Sequence, residues 1–198
     1  MGRAFLRAFG WTAEHHFPDV DKAVVIAAPH TSGWDLPFMI ACGWALDVKF
    51  NWVGKKELFA PPFGSFMRMV GGLPVNRGSK SDTVGRIAEA VRAEDKVLLC
   101  ISPEGTRSTT KRWKSGFYWI AVEANVPIVL GFLDFGKKRG GLGAVFWPTG
   151  DIVRDMDQVR AFYSGMKGRN PGKQSEIALA SEDEHQGRTT ARSTATAA

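Results

Sequence analysis

The sequence predicts a single α/β domain, a sandwich with a largely parallel central sheet flanked by helices. Three observations carry this expectation. Short apolar runs, often β-branched, recur along the chain; the segments between several of them repeat apolar residues at helical spacing; and 198 residues suffice for one substantial core but not for two. Strands buried on both faces and separated by helices are the pattern of a parallel sheet.

In chain order, residues 1–20 form an N-terminal amphipathic segment. Drawn as a helix, 3–9 places Phe5, Leu6 and Phe9 within about 100° of arc, with Arg3 and Arg7 opposite, as in an interfacial anchor. So short a helix must be ordered by a membrane or by the protein's own core, and the sequence leaves both open. The run Ala23-Val24-Val25-Ile26-Ala27 begins the first strand, 23–28. Further strands are expected at 48–53, 73–75, 96–101, 127–135 and 144–147. Between them, Val84, Ile87, Ala88 and Val91 keep helical spacing, as do Phe117, Ile120, Ala121 and Ala124, and a last helix is expected over 155–166. The body of the domain is 21–170. From residue 171 the chain has few large apolar residues and ends in RTTARSTATAA, so 171–198 is expected to be a disordered tail.

The formal charge is +6, and it resides in the body, because the tail carries three basic residues against four acids. Such a body attracts anions: phosphate-bearing substrates, an anionic membrane surface or nucleic acid. No RNA- or DNA-binding signature accompanies the basic clusters, so nucleic acid is not an expected partner. No run reaches the ~18 to 20 apolar residues of a membrane span, and the first residues lack a signal-peptide core, which places the chain in the cytoplasm or peripherally on a membrane facing it. Cys42 and Cys100 have no metal-type spacing and read as reduced core residues; neither a metal nor a cofactor is expected. The near P-loop from Gly131 to Lys138 fails because its would-be loop is bulky and apolar and Lys138 stands where Ser or Thr must meet magnesium.

A parallel sheet binds ligands beyond the carboxyl ends of its strands. The loops there read PHTSGWD, NRGS and SPEGTRS. Five residues along a continuous helix turn through about 500°, so His30 and Asp35 cannot meet within one. They can meet if His30 stays in the loop, Thr31 or Ser32 caps the helix and Asp35 enters its first turn. Asp35 would then orient the ring and leave its other nitrogen as a base. Taken alone, the stretch fits a surface histidine and a capping aspartate better. In SPEGTRS, Arg107 has the fork of donors that holds a phosphate, Gly105 allows close backbone approach, and Arg77 offers a second guanidinium; an ordinary Glu104–Arg107 ion pair is the alternative.

The order of the blocks decides. H-x4-D after the first strand, then G-x-[IL]-x-V-x-R, then PEGTR, then VPIVLG resembles the glycerolipid acyltransferase family, whose best-known members convert lysophosphatidic acid to phosphatidic acid. The blocks run from His30 to Gly131. The resemblance implies a glycerol-3-phosphate acyltransferase-like fold and transfer of an acyl group from acyl-CoA or acyl carrier protein to a lysophospholipid such as 1-acylglycerol-3-phosphate. It further implies His30 as the base, Asp35 as its orienter, and Arg77, Glu104, Gly105, Thr106 and Arg107 around the acceptor phosphate. Lys55 is a candidate for the oxyanion region, or simply a solvated lysine. Pro29 and Ser102 depart from the residues common in the family at those places, which leaves the dyad intact and the acceptor open. Trp34, Phe38, Phe63, Phe66 and Met67 are expected mainly in the core, an acyl-chain lining being the alternative. A non-catalytic protein binding anionic lipid or other polyanions is the rival reading; it has no need of His30 and Asp35.

Overall fold

The computed structural model describes residues 1–16, 20–75, 80–180 and 182. Its seven-stranded sheet comprises β1 (Thr12–His15), β2 (Lys22–Ala28), β3 (Asn51–Lys55), β4 (Gly72–Val75), β5 (Val97–Ile101), β6 (Ile128–Asp134) and β7 (Arg139–Phe146). The spatial order is β1-β7-β6-β2-β5-β3-β4. β6, β2, β5, β3 and β4 are mutually parallel; β7 turns back antiparallel to β6, and β1 runs parallel to β7. The helices are α1 (Gly2–Ala8), α2 (Asp35–Leu46), α3 (Gly64–Met69), α4 (Lys80–Ala93), α5 (Gly116–Ala124) and α6 (Ile152–Tyr163). This is the largely parallel α/β sandwich expected.

β2 shows why its apolar run is unbroken. Val24 and Ile26 join one core with Phe117, Tyr118 and Met156 of α5 and α6, while Ala23 and Val25 join the opposite core with Trp52, Phe59 and Leu142. Side chains alternate across the sheet, so a central strand covered on both sides must be apolar at every position. One buried carboxylate organises the far end: Asp155 accepts from Tyr118 Oη at 2.9 Å, Thr149 N at 2.7 Å and Thr149 Oγ1 at 3.0 Å, fixing the start of α6.

Three expectations need correction, and one left open is decided. The strand placed at 48–53 is Asn51–Lys55, because Asp47 closes α2 in the left-handed conformation (φ 57°) and Val48 N still bonds Gly43 O. The strand placed at 144–147 begins at Arg139, a stretch rich in glycine and so without a strand signal; a Cβ on Gly141 would strike the Glu14 backbone of β1 and one on Gly143 the ring of Phe162. The chain also stays packed past residue 170. Pro171–Lys173 forms a 3₁₀ turn, Leu179 is fully buried, Trp113 N bonds Ala178 O at 2.8 Å, and Glu182 accepts from Arg160 Nη1 at 2.9 Å. Composition hid this because one buried leucine and scattered polar contacts anchor the segment; residues 183–198 lie outside the described residues. Finally, α1 spends its apolar face on the protein. Leu6 is 2% exposed, Gly2 packs against the backbone of Ala41 and Ala45, Arg3 Nε donates to Ala45 O at 3.1 Å, and the half-exposed Phe9 packs its ring on Phe5 and Phe38.

Candidate active site

β2 and β5 are neighbours in parallel register, Ile26 opposite Ile101, so the loops that follow them leave the same sheet edge side by side. One hydrogen bond joins the two loops: His30 N donates to Glu104 Oε2 at 2.8 Å. The first loop then enters α2 at Asp35. Its Oδ2 lies 3.0 Å from His30 Nδ1 and accepts from Thr31 N and Ser32 N, each at 2.9 Å. The pairing across five positions thus works because the chain between the two residues folds round the carboxylate. The cap differs from the one expected: Trp34 precedes the helix without a side-chain cap, and neither Thr31 nor Ser32 caps α2. Ser32 Oγ accepts from Trp34 N within the turn.

The side chain of Asp35 is 6% exposed and that of His30 30%, so a fixed, buried acceptor holds a ring that reaches solvent. A carboxylate can only accept, which requires the proton on Nδ1 and leaves the lone pair on Nε2. Among the described residues Nε2 has no hydrogen-bond partner. Glu104 is 3% exposed, and its carboxyl is pushed up to about 8 by burial, aided by the nearby negative Asp35 and opposed by the His30 amide bond. At neutral pH it is mostly a neutral acid that anchors the histidine loop. The structure holds this carboxyl against the histidine loop, where it accepts from His30 N.

The remaining predicted residues separate. Gly105 adopts φ 64°, a conformation suited to glycine, and Lys114 Nζ lies 2.9 Å from where a Cβ would be. Thr106 Oγ1 accepts from Ser108 N at 3.3 Å within its own turn. Arg107 is exposed; its Nη1 comes within 3.0 Å of a Cβ built on Gly33, so the absent side chain makes room for the guanidinium beside the histidine loop. Lys55 ends β3, and β5 separates β3 from β2. Arg77 lies outside the described residues. Of the aromatic candidates only Phe38 is buried; Trp34, Phe63 and Phe66 are 43%, 66% and 46% exposed.

Sequence reasoning missed the turn after α6. Asn170 donates from N to Thr31 Oγ1 at 3.1 Å and from Nδ2 to Thr31 O at 2.9 Å. A Cβ on Gly168 would lie 2.6 Å from Thr31 Oγ1, so the glycine lets this turn press on the residue after His30. Arg169 extends over the rings of Trp34 and Phe135, with Cζ 5.2 and 6.0 Å from their centroids. A Gly-Arg-Asn-Pro string carries no signal beyond the end of a helix.

The model of the family described as Acyltransferase matches residues 11–129, more than half of the chain, and the chain belongs to that family. The match takes in His30, Asp35 and Glu104–Arg107 and bears out the family expected from the four blocks. Two curated relatives share the name 1-acyl-sn-glycerol-3-phosphate acyltransferase. The protein from Escherichia coli (strain K12) is 35% identical over 83 residues, 39% of this chain and 34% of its own length. The protein from Streptococcus pneumoniae (strain ATCC BAA-255 / R6) is 32% identical over 114 residues, 57% of this chain and 42% of its own. The matched segments thus span less than half of either relative.

Proposed function

We propose that this domain moves a fatty acyl group from a thioester, acyl-CoA or acyl carrier protein, to the hydroxyl of a lysophospholipid such as 1-acylglycerol-3-phosphate. The observation that carries the reading is His30 Nδ1 held 3.0 Å from an Asp35 oxygen that two backbone amides also grip. Nε2 takes the proton of the acceptor hydroxyl as its oxygen attacks the thioester carbonyl carbon. The tetrahedral intermediate collapses, the C–S bond breaks, and the departing thiolate takes the proton back from Nε2. No acyl group is attached to the protein at any stage. Asp35 keeps the ring in one tautomer and stabilises the imidazolium between the two transfers. Arg107, beside Gly33 and without an acceptor among the described residues, holds the acceptor phosphate, with Arg77 as its companion.

The substrate is a lipid, and the domain works peripherally at the cytoplasmic face of a membrane. None of the described helices is long and apolar enough to cross one. Support for a lipid-facing surface comes from the β3–β4 crossover, where Leu58, Phe63, Phe66, Met69 and Leu73 are all at least 43% exposed alongside exposed Lys55, Lys56 and Arg68.

The test follows released thiol and lipid product together. Purified protein with lysophosphatidate and either donor should release one thiol per diacyl product, and intact-protein mass spectrometry should find no acylated chain. Thiol release that ignores the lysolipid, or an acyl group trapped on the protein, would overturn the reading.

A further inference from the structure

We propose that Arg169 is a further binding residue for the phosphate of the acceptor, a role that rests on the acyltransfer reading above. The family match ends at residue 129, so Arg169 belongs to none of its blocks. The structure brings it to the site by another route. Phe135 N bonds Lys167 O at 2.8 Å and Asn170 clamps Thr31 from both backbone and side chain, tying the turn after α6 to the end of β6 and to the histidine loop. Arg169 leaves this doubly tethered turn and lies over Trp34, the residue immediately before Asp35. Arg107 reaches Gly33, the residue before that. Two guanidiniums from distant parts of the chain therefore meet adjacent residues, Arg107 at Gly33 and Arg169 at Trp34, which stand between His30 and Asp35.

Neither guanidinium has a carboxylate or carbonyl partner among the described residues. For Arg169 the aromatic contacts are informative. A ring attracts the charge of a guanidinium without serving as an oxygen acceptor, so these contacts hold the side chain in place and leave its N–H donors for a phosphate. The surroundings add charge of the same sign: Lys137, Lys138 and Lys167 are exposed on the neighbouring turns, whereas Asp134 at the end of β6 is buried and committed to Gly136 N, Lys137 N and Arg139.

The chemistry of the acceptor calls for cations at this place. In 1-acylglycerol-3-phosphate the attacking hydroxyl and the phosphate ester are on adjacent carbons. A cation that fixes the phosphate while the hydroxyl meets His30 must lie within one headgroup of the ring, and both arginines flank the loop that carries it. Two forks acting on one phosphate would set the angle of the hydroxyl as well as its distance, which raises transfer as well as affinity.

A phosphate also occurs on coenzyme A, so the test separates the sources. Arg169→Gln, Arg169→Lys and wild type are compared by calorimetric titration with sn-glycerol 3-phosphate and, separately, with coenzyme A, each variant first shown to melt as wild type does. Arg169→Gln should weaken glycerol phosphate binding about tenfold or more and leave coenzyme A binding unchanged, with lysine restoring part of the loss. In turnover, the same substitution should raise KM and lower kcat for lysophosphatidate while sparing a monoacylglycerol, which has no phosphate to hold. Unchanged glycerol phosphate binding in Arg169→Gln, equal losses on phosphate-bearing and phosphate-free acceptors, or a loss confined to coenzyme A would overturn the proposal. Phosphate binding that depends on Arg169 in a wild-type protein without acyl transfer would uphold this site and sink the proposed reaction.

Discussion

Replacing Glu104 by glutamine keeps an oxygen to accept the His30 amide and removes only the ionisable proton. The folded carboxyl titrates at about 8 against an ordinary 4.5. Between those values the folded protein holds a proton that the unfolded chain has released. Stability then falls as pH rises, because the state that binds more protons loses ground as protons become scarce. The contribution is complete below about pH 4.5, declines by roughly 1.4 kcal/mol per pH unit through the window and levels off above about pH 8, a ceiling of about 4 to 5 kcal/mol. Glu104→Gln carries no such slope. Urea unfolding of both proteins at about pH 5, 6, 7 and 8.5 isolates the effect, since other titrating groups cancel in the difference. The glutamine protein should gain on wild type steadily as pH rises. It should also keep most of its acyl transfer, whereas Glu104→Ala leaves the His30 amide without its acceptor and costs about 1 to 3 kcal/mol of loop stability. A stability difference that stays flat across this range would refute the picture of a buried, protonated Glu104.

Asp35→Asn should lower kcat by about a hundred- to ten-thousand-fold with little change in KM, since the buried charge that favours the imidazolium is gone; steady-state kinetics at saturating acceptor checks this. Gly168→Ala forces a methyl to within 2.6 Å of Thr31 Oγ1 and should cost about 1 to 3 kcal/mol by overpacking, read as a lower melting temperature together with slower transfer. Leu6→Ala should destabilise by about 2 to 5 kcal/mol in urea, as expected of a 2%-exposed core residue and not of a membrane anchor. Arg107→Ala should raise KM for lysophosphatidate and spare a phosphate-free acceptor, with lysine a partial substitute.

The parallel core was legible because β2 and β6 are buried on both faces and cannot disguise their composition: all of Ile128–Asp134 is buried. β1 was not. Its Thr-Ala-Glu-His sequence has no apolar pattern, and it is a strand only because the Gly140-Gly141 backbone of β7 lies open beside it. The dyad was legible as a spacing, but its mechanism of closure was not, since Thr31 N and Ser32 N reach Asp35 through a turn that no propensity specifies. Glu104 was visible as part of a motif, yet its bond to His30 N joins two loops 74 positions apart and leaves no trace in either. Asn170 lies 139 positions from Thr31, and Arg169 almost as far from Trp34; such tertiary neighbours leave no local trace. The amphipathic N-terminus gave the right face and left its partner undecided; Gly2 settles it, because only a glycine lets α1 come so close to the backbone of α2.

The central claim is that His30 is the base, and it is tested most directly by His30→Ala, purified, shown to melt as wild type does, and assayed with lysophosphatidate and its thioester donor by thiol release. The account predicts a fall of about a hundred- to ten-thousand-fold in turnover, the usual contribution of a positioned base, with acceptor binding retained. A folded His30→Ala protein that keeps half of the wild-type rate on the same acceptor would contradict it.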